Sequence, residues 1–140
     1  FIPVIPVPYT ESDAEQFIAR GSGQLELHLA IADSDGGAVL GSVGVSVKPD
    51  DPAIAEIGYW LAPEARGSGA ATRALVLLSR WVLRELPEAR LQLTTDVENT
   101  ASQRVAERGG FVREGILRAW YDRRGERRDA VMFSLVPGEE

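Results

Sequence analysis

The chain has 140 residues, a formal net charge of −6 and an ordinary apolar share of 44%, enough for one domain that buries roughly two thirds of its unfolded surface. It has no cysteine and a single histidine, His28, which excludes disulfides, a thiolate nucleophile and sulfur-ligated or histidine-rich metal sites. No stretch approaches the about 20 apolar residues of a membrane span, and the acidic balance argues against broad nucleic-acid binding, which rests on a basic surface.

The chain opens at Phe1 without Met, and lacks a charged segment followed by an apolar one. It reads as neither a native start nor a signal peptide, so a preceding segment is expected. Lys48 is the only lysine among 15 basic residues, a bias attributed to the genome. Residues 1–8 carry Pro3, Pro6 and Pro8 and should run extended. Thr10, Ser12 and Asp13 signal a helix start ahead of Ala14, Phe17 and Ile18, which share one face until Gly21 and Gly23. Leu25, Leu27, Leu29 and Ile31 alternate with Gln24, Glu26, His28 and Ala30, predicting a half-buried strand with His28 exposed on its polar side. A turn at 33–37, a strand over 38–47 and a loop over 48–52 suggest a hairpin.

A third strand is predicted over 54–61, followed by a glycine-containing loop and a helix over about 69–86. That helix carries Ala71, Ala74, Leu75, Leu78, Trp81 and Val82 inward and Arg73, Arg80 and Arg84 outward, and stops at Pro87. Residues 90–96 read as a strand. Residues 99–108 read as a short helix with Ala101 and Val105 inward, closed by Gly109-Gly110. Strand 111–117, a polar turn over 123–128 and a last strand over about 129–136 complete a single mixed α/β domain of residues 1–140.

The informative junction is Arg66-Gly67-Ser68-Gly69-Ala70-Ala71 between a strand and a helix. Small residues let backbone approach a ligand, and the unpaired N–H groups at the positive end of a helix suit a phosphate or pyrophosphate. An ordinary glycine-rich turn fits the loop equally well. No Gly-Lys-Ser/Thr follows the first glycine, so a Walker loop fails. A dinucleotide-binding fingerprint needs an acid at the end of the next strand, about twenty residues on, whereas Glu88 precedes that strand.

The chain resembles the GNAT superfamily of acyltransferases, and within it the ribosomal-protein N-acetyltransferase branch. The resemblance rests on Pro6-Val7-Pro8-Tyr9-Thr10 with Asp13-Ala14, on Glu56-Ile57-Gly58-Tyr59-Trp60-Leu61, and on Arg66, Gly69 and Ala71 of the loop. Asn99 and Ser102, with Val105-Ala106-Glu107-Arg108-Gly109-Gly110-Phe111, extend it. The family's usual first strand and helix find no counterpart, so truncation at the amino terminus is expected. The resemblance implies a mixed sheet splayed between strands 54–61 and 90–96. Pantetheine of acetyl-CoA would lie in the gap, bonded sheet-fashion to the strand at Ile57, Tyr59 and Leu61, with its pyrophosphate on Arg66, Gly67, Ser68, Gly69, Ala70 and Ala71. It also implies direct attack by an amine acceptor, without metal or acyl-enzyme, in a cytoplasmic protein for which a homodimer is left open.

A protein α-amine, with a pKa of about 7.7–8.0, is partly neutral at pH 7, unlike a lysine amine near 10.4, so an N-terminal acceptor asks less of a base. Glu56 is the candidate base, acting through water, or else a surface acid. Ser102 is a candidate acid for the leaving thiolate and a contact for the coenzyme. Asn99 could hold pantetheine or an ordered water, or simply cap its helix. Tyr121 is the alternative acid, or packs near its hairpin. Trp81 is expected in the core, and Trp60 and Trp120 either line the acceptor pocket or pack. Arg123, Arg124, Arg127 and Arg128 read as a solvated hairpin tip, or as a contact for acidic substrate or a coenzyme phosphate. A small-molecule amine acceptor and a non-catalytic acyl-CoA-binding module are the competing functions.

Overall fold

A computed structural model describes residues 10–20, 26–87 and 89–139. The extended opening, Leu25, the glycines expected to end the first helix and Glu88 lie outside the described residues. Helix α1 spans Glu11–Arg20. Thr10 Oγ accepts from the Asp13 amide and the Asp13 carboxylate accepts from the Thr10 amide, a reciprocal capping box with Asp in the usual Glu position. Phe17 and Ile18 do not share a buried face as expected: Ile18 is exposed, and the Phe17 ring meets His28 edge-on at 5.1 Å. His28 is accordingly half-buried rather than exposed, because α1 lies over the side of the strand that the alternation assigned to solvent.

The sheet has six strands: β1 (Glu26–Ala32), β2 (Val39–Lys48), β3 (Asp51–Leu61), β4 (Arg90–Asp96), β5 (Val112–Arg123) and β6 (Glu126–Leu135), in the order β1-β2-β3-β4-β6-β5. Helices α2 (Ala70–Glu85) and α3 (Thr100–Arg108) connect β3 to β4 and β4 to β5. The β2–β3 loop is tighter than expected, with Lys48 already paired to Asp51. The β5–β6 hairpin is much longer than expected. Its pairing continues through Tyr121↔Arg128 to Arg123↔Glu126, and the polar turn shrinks to Arg124-Gly125, both at positive φ, as a two-residue turn matching the strands' twist requires.

The core lies between the helices and one face of the sheet, where Ala55, Ile57, Leu91, Leu93, Phe133 and Leu135 meet Leu75, Leu78 and Val82 of α2. Ala71, Leu75, Leu78 and Val82 are the expected stripe, but Trp81 is 42% exposed, not core. It lies at the stripe's margin and shares the outward side with Leu77. On α3, Ala106 is buried and Val105 packs on the core, whereas Ala101, expected inward, faces solvent.

The feature that positions everything else is the parallel pairing of β3 with β4. It consists of Ile54↔Arg90, Ala55↔Leu91 and Glu56↔Gln92 and then stops. Beyond that rung β3 stays paired to β2 as far as Gly41↔Leu61, and β4 stays paired to β6 as far as Asp96↔Ala130. The sheet therefore opens between them. Gly41 fixes the far end of β3: a Cβ there would fall 2.1 Å from the Trp60 carbonyl oxygen, and backbone cannot give way as a side-chain end can. Gly41→Ala should destabilise the fold by roughly 1–3 kcal/mol, the usual cost of overpacking, read as a lower urea midpoint with an unchanged slope.

Candidate active site

Strand alternation gives the opening two faces. Ala55 and Ile57 sit in the core beneath the helices, and Tyr59 continues on that side. Its hydroxyl is 2.9 Å from Ser102 Oγ and donates to the Ser102 carbonyl oxygen at 3.1 Å. The contact links β3 to the first turn of α3, across the mouth of the opening. Burial pushes the Tyr59 phenol up, outweighing the opposing hydrogen bond from Ser102, so it is a proton donor at neutral pH. The strand reading assigned Tyr59 a backbone role only; its side-chain position became visible once α3 was placed opposite β3. Asn99 caps α3, its Oδ1 accepting from the Ser102 amide at 3.0 Å. Gln103 ties the same turn to the end of β4 through the Val97 carbonyl oxygen at 2.9 Å. Glu56 stands on the opposite face of β3, in the last rung before the strands part.

At the far end of β3, a 3₁₀ turn over Pro63–Ala65 leads into the glycine loop. Ser68 turns inward, its hydroxyl donating to the Ala65 carbonyl at 2.8 Å and accepting from the Ala70 amide at 3.3 Å. Arg66 Nε reaches back to the Leu61 carbonyl at 3.3 Å. Gly67 and Gly69 have φ of 77° and 79°, conformations glycine adopts without strain. Gly69 caps α2 with no side-chain bond, and the first turn carries no acid. A Cβ at Gly69 would lie 3.0 Å from the Arg73 guanidinium, so a cation that helix periodicity placed on the outer face stands beside the N-terminus of α2. Exposed backbone, a helix's positive end and an arginine suit a phosphate-bearing ligand.

A second polar cluster lies at the end of β4. Burial raises the Asp96 carboxyl, but hydrogen bonds from the Tyr121 hydroxyl, the Glu98 amide and Arg128, with the charge of Arg128, outweigh it and hold the pKa at about 2. Arg128 bonds Asp96 at 3.3 Å and Glu98 at 2.6 Å, so it is not part of a solvated tip. Arg127 likewise donates to the carbonyls of Ala119 and Trp120. Burial and the bond to Asp96 raise the Tyr121 phenol. Trp60 and Trp120 are 60% and 47% exposed. Among the described residues, no cluster of His, Cys, Asp or Glu is grouped to hold a metal ion.

Residues 1–112 match the acetyltransferase (GNAT) domain. The chain belongs to the GNAT family. It is 39% identical over 85 residues to the "Putative ribosomal N-acetyltransferase YdaF" of Bacillus subtilis (strain 168), covering 61% of this chain and 46% of that protein. It resembles the solved "putative ribosomal-protein-serine acetyltransferase from Vibrio cholerae" with a TM-score of 0.78 and 25% identity, covering 92% of this chain and 76% of the other. It also resembles the Microcin C7 self immunity acetyltransferase MccE, solved with acetyl-CoA and AMP, with a TM-score of 0.81 and 27% identity, covering 89% and 71%. The chain spans about half the length of the curated relatives it matches. These names support the ribosomal-protein acetyltransferase branch of GNAT.

The GNAT fold thus brings Glu56, Tyr59, Asn99 and Ser102 to the opening and sets the loop at 66–71 at the end of β3. Tyr121 lies two strand positions further out, committed to Asp96. Because Asp96 has a folded pKa of about 2, below its ordinary value near 4, its stabilisation is complete above about pH 4 and disappears as pH falls through about 2. Asp96→Asn should cost roughly 1–3 kcal/mol at pH 7, and urea titrations should show the deficit shrinking as pH approaches 2.

Proposed function

We propose that this GNAT domain transfers an acetyl group from acetyl-CoA to a primary amine, namely a protein or peptide N-terminal α-amine, by direct attack in a ternary complex. The observation that carries this reading is the opening between β3 and β4, with an acid at its closed end on one face and the Tyr59–Ser102 hydroxyl pair at its mouth on the other. The extended pantetheine arm, with its amides, fits between strand edges that have no partner strand. The pyrophosphate fits the loop at Arg66, Gly67, Ser68, Gly69, Ala70 and Ala71. The relatives' names support a ribosomal-protein acceptor, and the likeness to MccE, solved with AMP, supports a small-molecule amine as the second reading.

In this reading Glu56 takes the proton of the attacking ammonium, directly or through water. The amine nitrogen bonds to the thioester carbon and sheds its second proton, through water, to the Tyr59–Ser102 hydroxyl pair as the carbon–sulfur bond breaks and Ser102 protonates the thiolate, leaving the amide, the CoA thiol and both hydroxyls intact. Tyr121 is a positioning residue that steadies Asp96 and the turn into α3. Asn99, engaged through its oxygen in the helix cap, offers its amide N–H groups to the coenzyme.

Glu56→Gln should lower turnover about 10²–10⁴-fold where chemistry limits the rate. The loss should be greatest at low pH, where few α-amines are neutral, with partial recovery toward pH 9; a wild-type pH profile would remove Glu56 from the reaction. Tyr59→Phe should slow turnover with no such rescue.

Gly69→Val, which forces a branched side chain onto a positive φ beside Arg73, should weaken CoA binding strongly by calorimetry on the folded variant. Mass mapping of acetylated peptides should place the acetyl group on the terminus and not on lysine. Acetylation of small amines alone would favour the second reading.

A further inference from the structure

We infer that the cleft beyond the end of β4, walled by Arg123 and Arg124, is a carboxylate-binding subsite for an acidic side chain of the acceptor peptide. This rests on the reading of the acceptor as a peptide α-amine. The cleft has a volume of about 280 Å³ and is lined by Glu98, Arg123, Arg124, Glu126 and Arg128. That is room for one side chain with ordered waters, since about 10–15 Å³ of such space holds one water.

The cleft lies on the face of the sheet that carries Glu56. Glu56 is in register with Gln92, and Gln92, Thr94 and Asp96 share one side of β4, opposite the core residues Leu91 and Leu93. Asp96 pairs with Ala130, two positions from Arg128; Arg128 pairs with Tyr121, and Glu126 pairs with Arg123. Strand alternation puts all of these on the same side. A peptide whose amine sits at Glu56 and whose chain runs along β4 toward the hairpin tip therefore meets the arginines. The four steps from Gln92 to Asp96 span about 13 Å, and the four from Ala130, the partner of Asp96, to Glu126 at the tip about 13 Å more, at the strand rise of about 3.3 Å. An acidic residue roughly six to eight positions in from the amine would reach the arginines. The glycine loop, by contrast, ends β3 on the other side of the opening.

The charges in the cleft are unequally committed. Arg128 is held by Asp96 and Glu98, and Glu98 is held by Arg128. Arg123 and Arg124 have no ion pair among the described residues. Glu126 is the register partner of Arg123 across the hairpin and makes no ion pair with it. With Asp96 the cleft balances, three guanidiniums against three carboxylates, so what it offers an acidic side chain is the two guanidiniums of Arg123 and Arg124 that no ion pair among the described residues holds, in a chain whose total is −6. The long-range field disfavours an acidic peptide, so this local site would supply the selectivity. The tip is also preformed: Gly125 donates its amide to Asp122 at 3.0 Å and Arg128 anchors the strand below, so little ordering is required on binding.

The test uses free-amine decapeptides with Glu, Gln or Lys at each position from the second to the tenth, acetylated by the full chain and by the R123E/R124E variant. Calorimetry with the N-acetylated Glu and Gln peptides reads binding independently of chemistry, and titrations with CoA and 3′-dephospho-CoA read the coenzyme. Glu near the sixth to eighth position should raise kcat/KM about tenfold over Gln, through KM. The variant should lose that preference and favour Lys, and only the wild type should bind the blocked Glu peptide more tightly than its Gln counterpart. Equal kcat/KM for Glu and Gln at every position, or a Glu preference that survives in R123E/R124E, would overturn the subsite while leaving α-amine acetylation standing. A variant that loses affinity for CoA but not for 3′-dephospho-CoA would reassign the arginines to the coenzyme's phosphate and overturn it too. If no peptide amine is acetylated the acceptor reading falls, and equal binding of the blocked peptides then overturns the subsite on its own terms.

Discussion

Two neighbouring parallel strands that part company after three paired residues set the terms for the rest of this molecule. β3 is held on its outer side by β2 and β4 by β6, each well past the point where they leave one another. Neither strand can swing back to close the gap without breaking an antiparallel ladder. Backbone donors and acceptors along the inner edges are left without a strand partner, and such groups require one from elsewhere. An extended, amide-bearing chain is the natural complement. Because both strands run the same way, α2 and α3 both start at the open end, and their unpaired amides are gathered there as well.

The opening also divides the labour of the site. The helix side carries the hydroxyls of Tyr59 and Ser102, proton donors in a partly buried setting. The other side carries carboxylates and guanidiniums: Glu56, then Arg90 with Glu114 and Ser134 near the start of β4, and Asp96 with Arg128 at its end. The Glu114 carboxyl is held at about 2, first by its bonds to Arg90 and then by Ser134, against burial. These pairs tie β4 to β5 and β6 on the face that carries Glu56.

Much of this was legible in the residues because it is local. Period-two alternation located β1, the apolar stripe and Pro87 located α2, and Asn99 announced the start of α3. The GNAT resemblance supplied the splay. What escaped was non-local. Arg123 to Arg128 read as a loop because charged side chains say nothing about register, yet pairing with Tyr121 and Asp122 extends both strands through them. His28 and Trp81 were misplaced for complementary reasons: α1 covers a strand side that looked polar, and Trp81 at the stripe's margin stays 42% exposed. Phase along one element cannot reveal what packs on it. Asp96 drew no notice because its importance comes from Tyr121 and Arg128, far along the chain.

The irregularity in β5 also governs how this domain meets its neighbours. β5 is an outermost strand and exposes Val112, Ile116 and Trp120, a long apolar edge of the kind that recruits other chains into a growing sheet. The register breaks between Arg113 and Gly115 and again between Leu117 and Tyr121, where Ala119 takes a φ of 49°. Arg127 then occupies the carbonyl oxygens of Ala119 and Trp120. The edge is cut into short, kinked lengths and two of its acceptors are already spoken for, so an approaching strand finds no uninterrupted template for cross-β stacking.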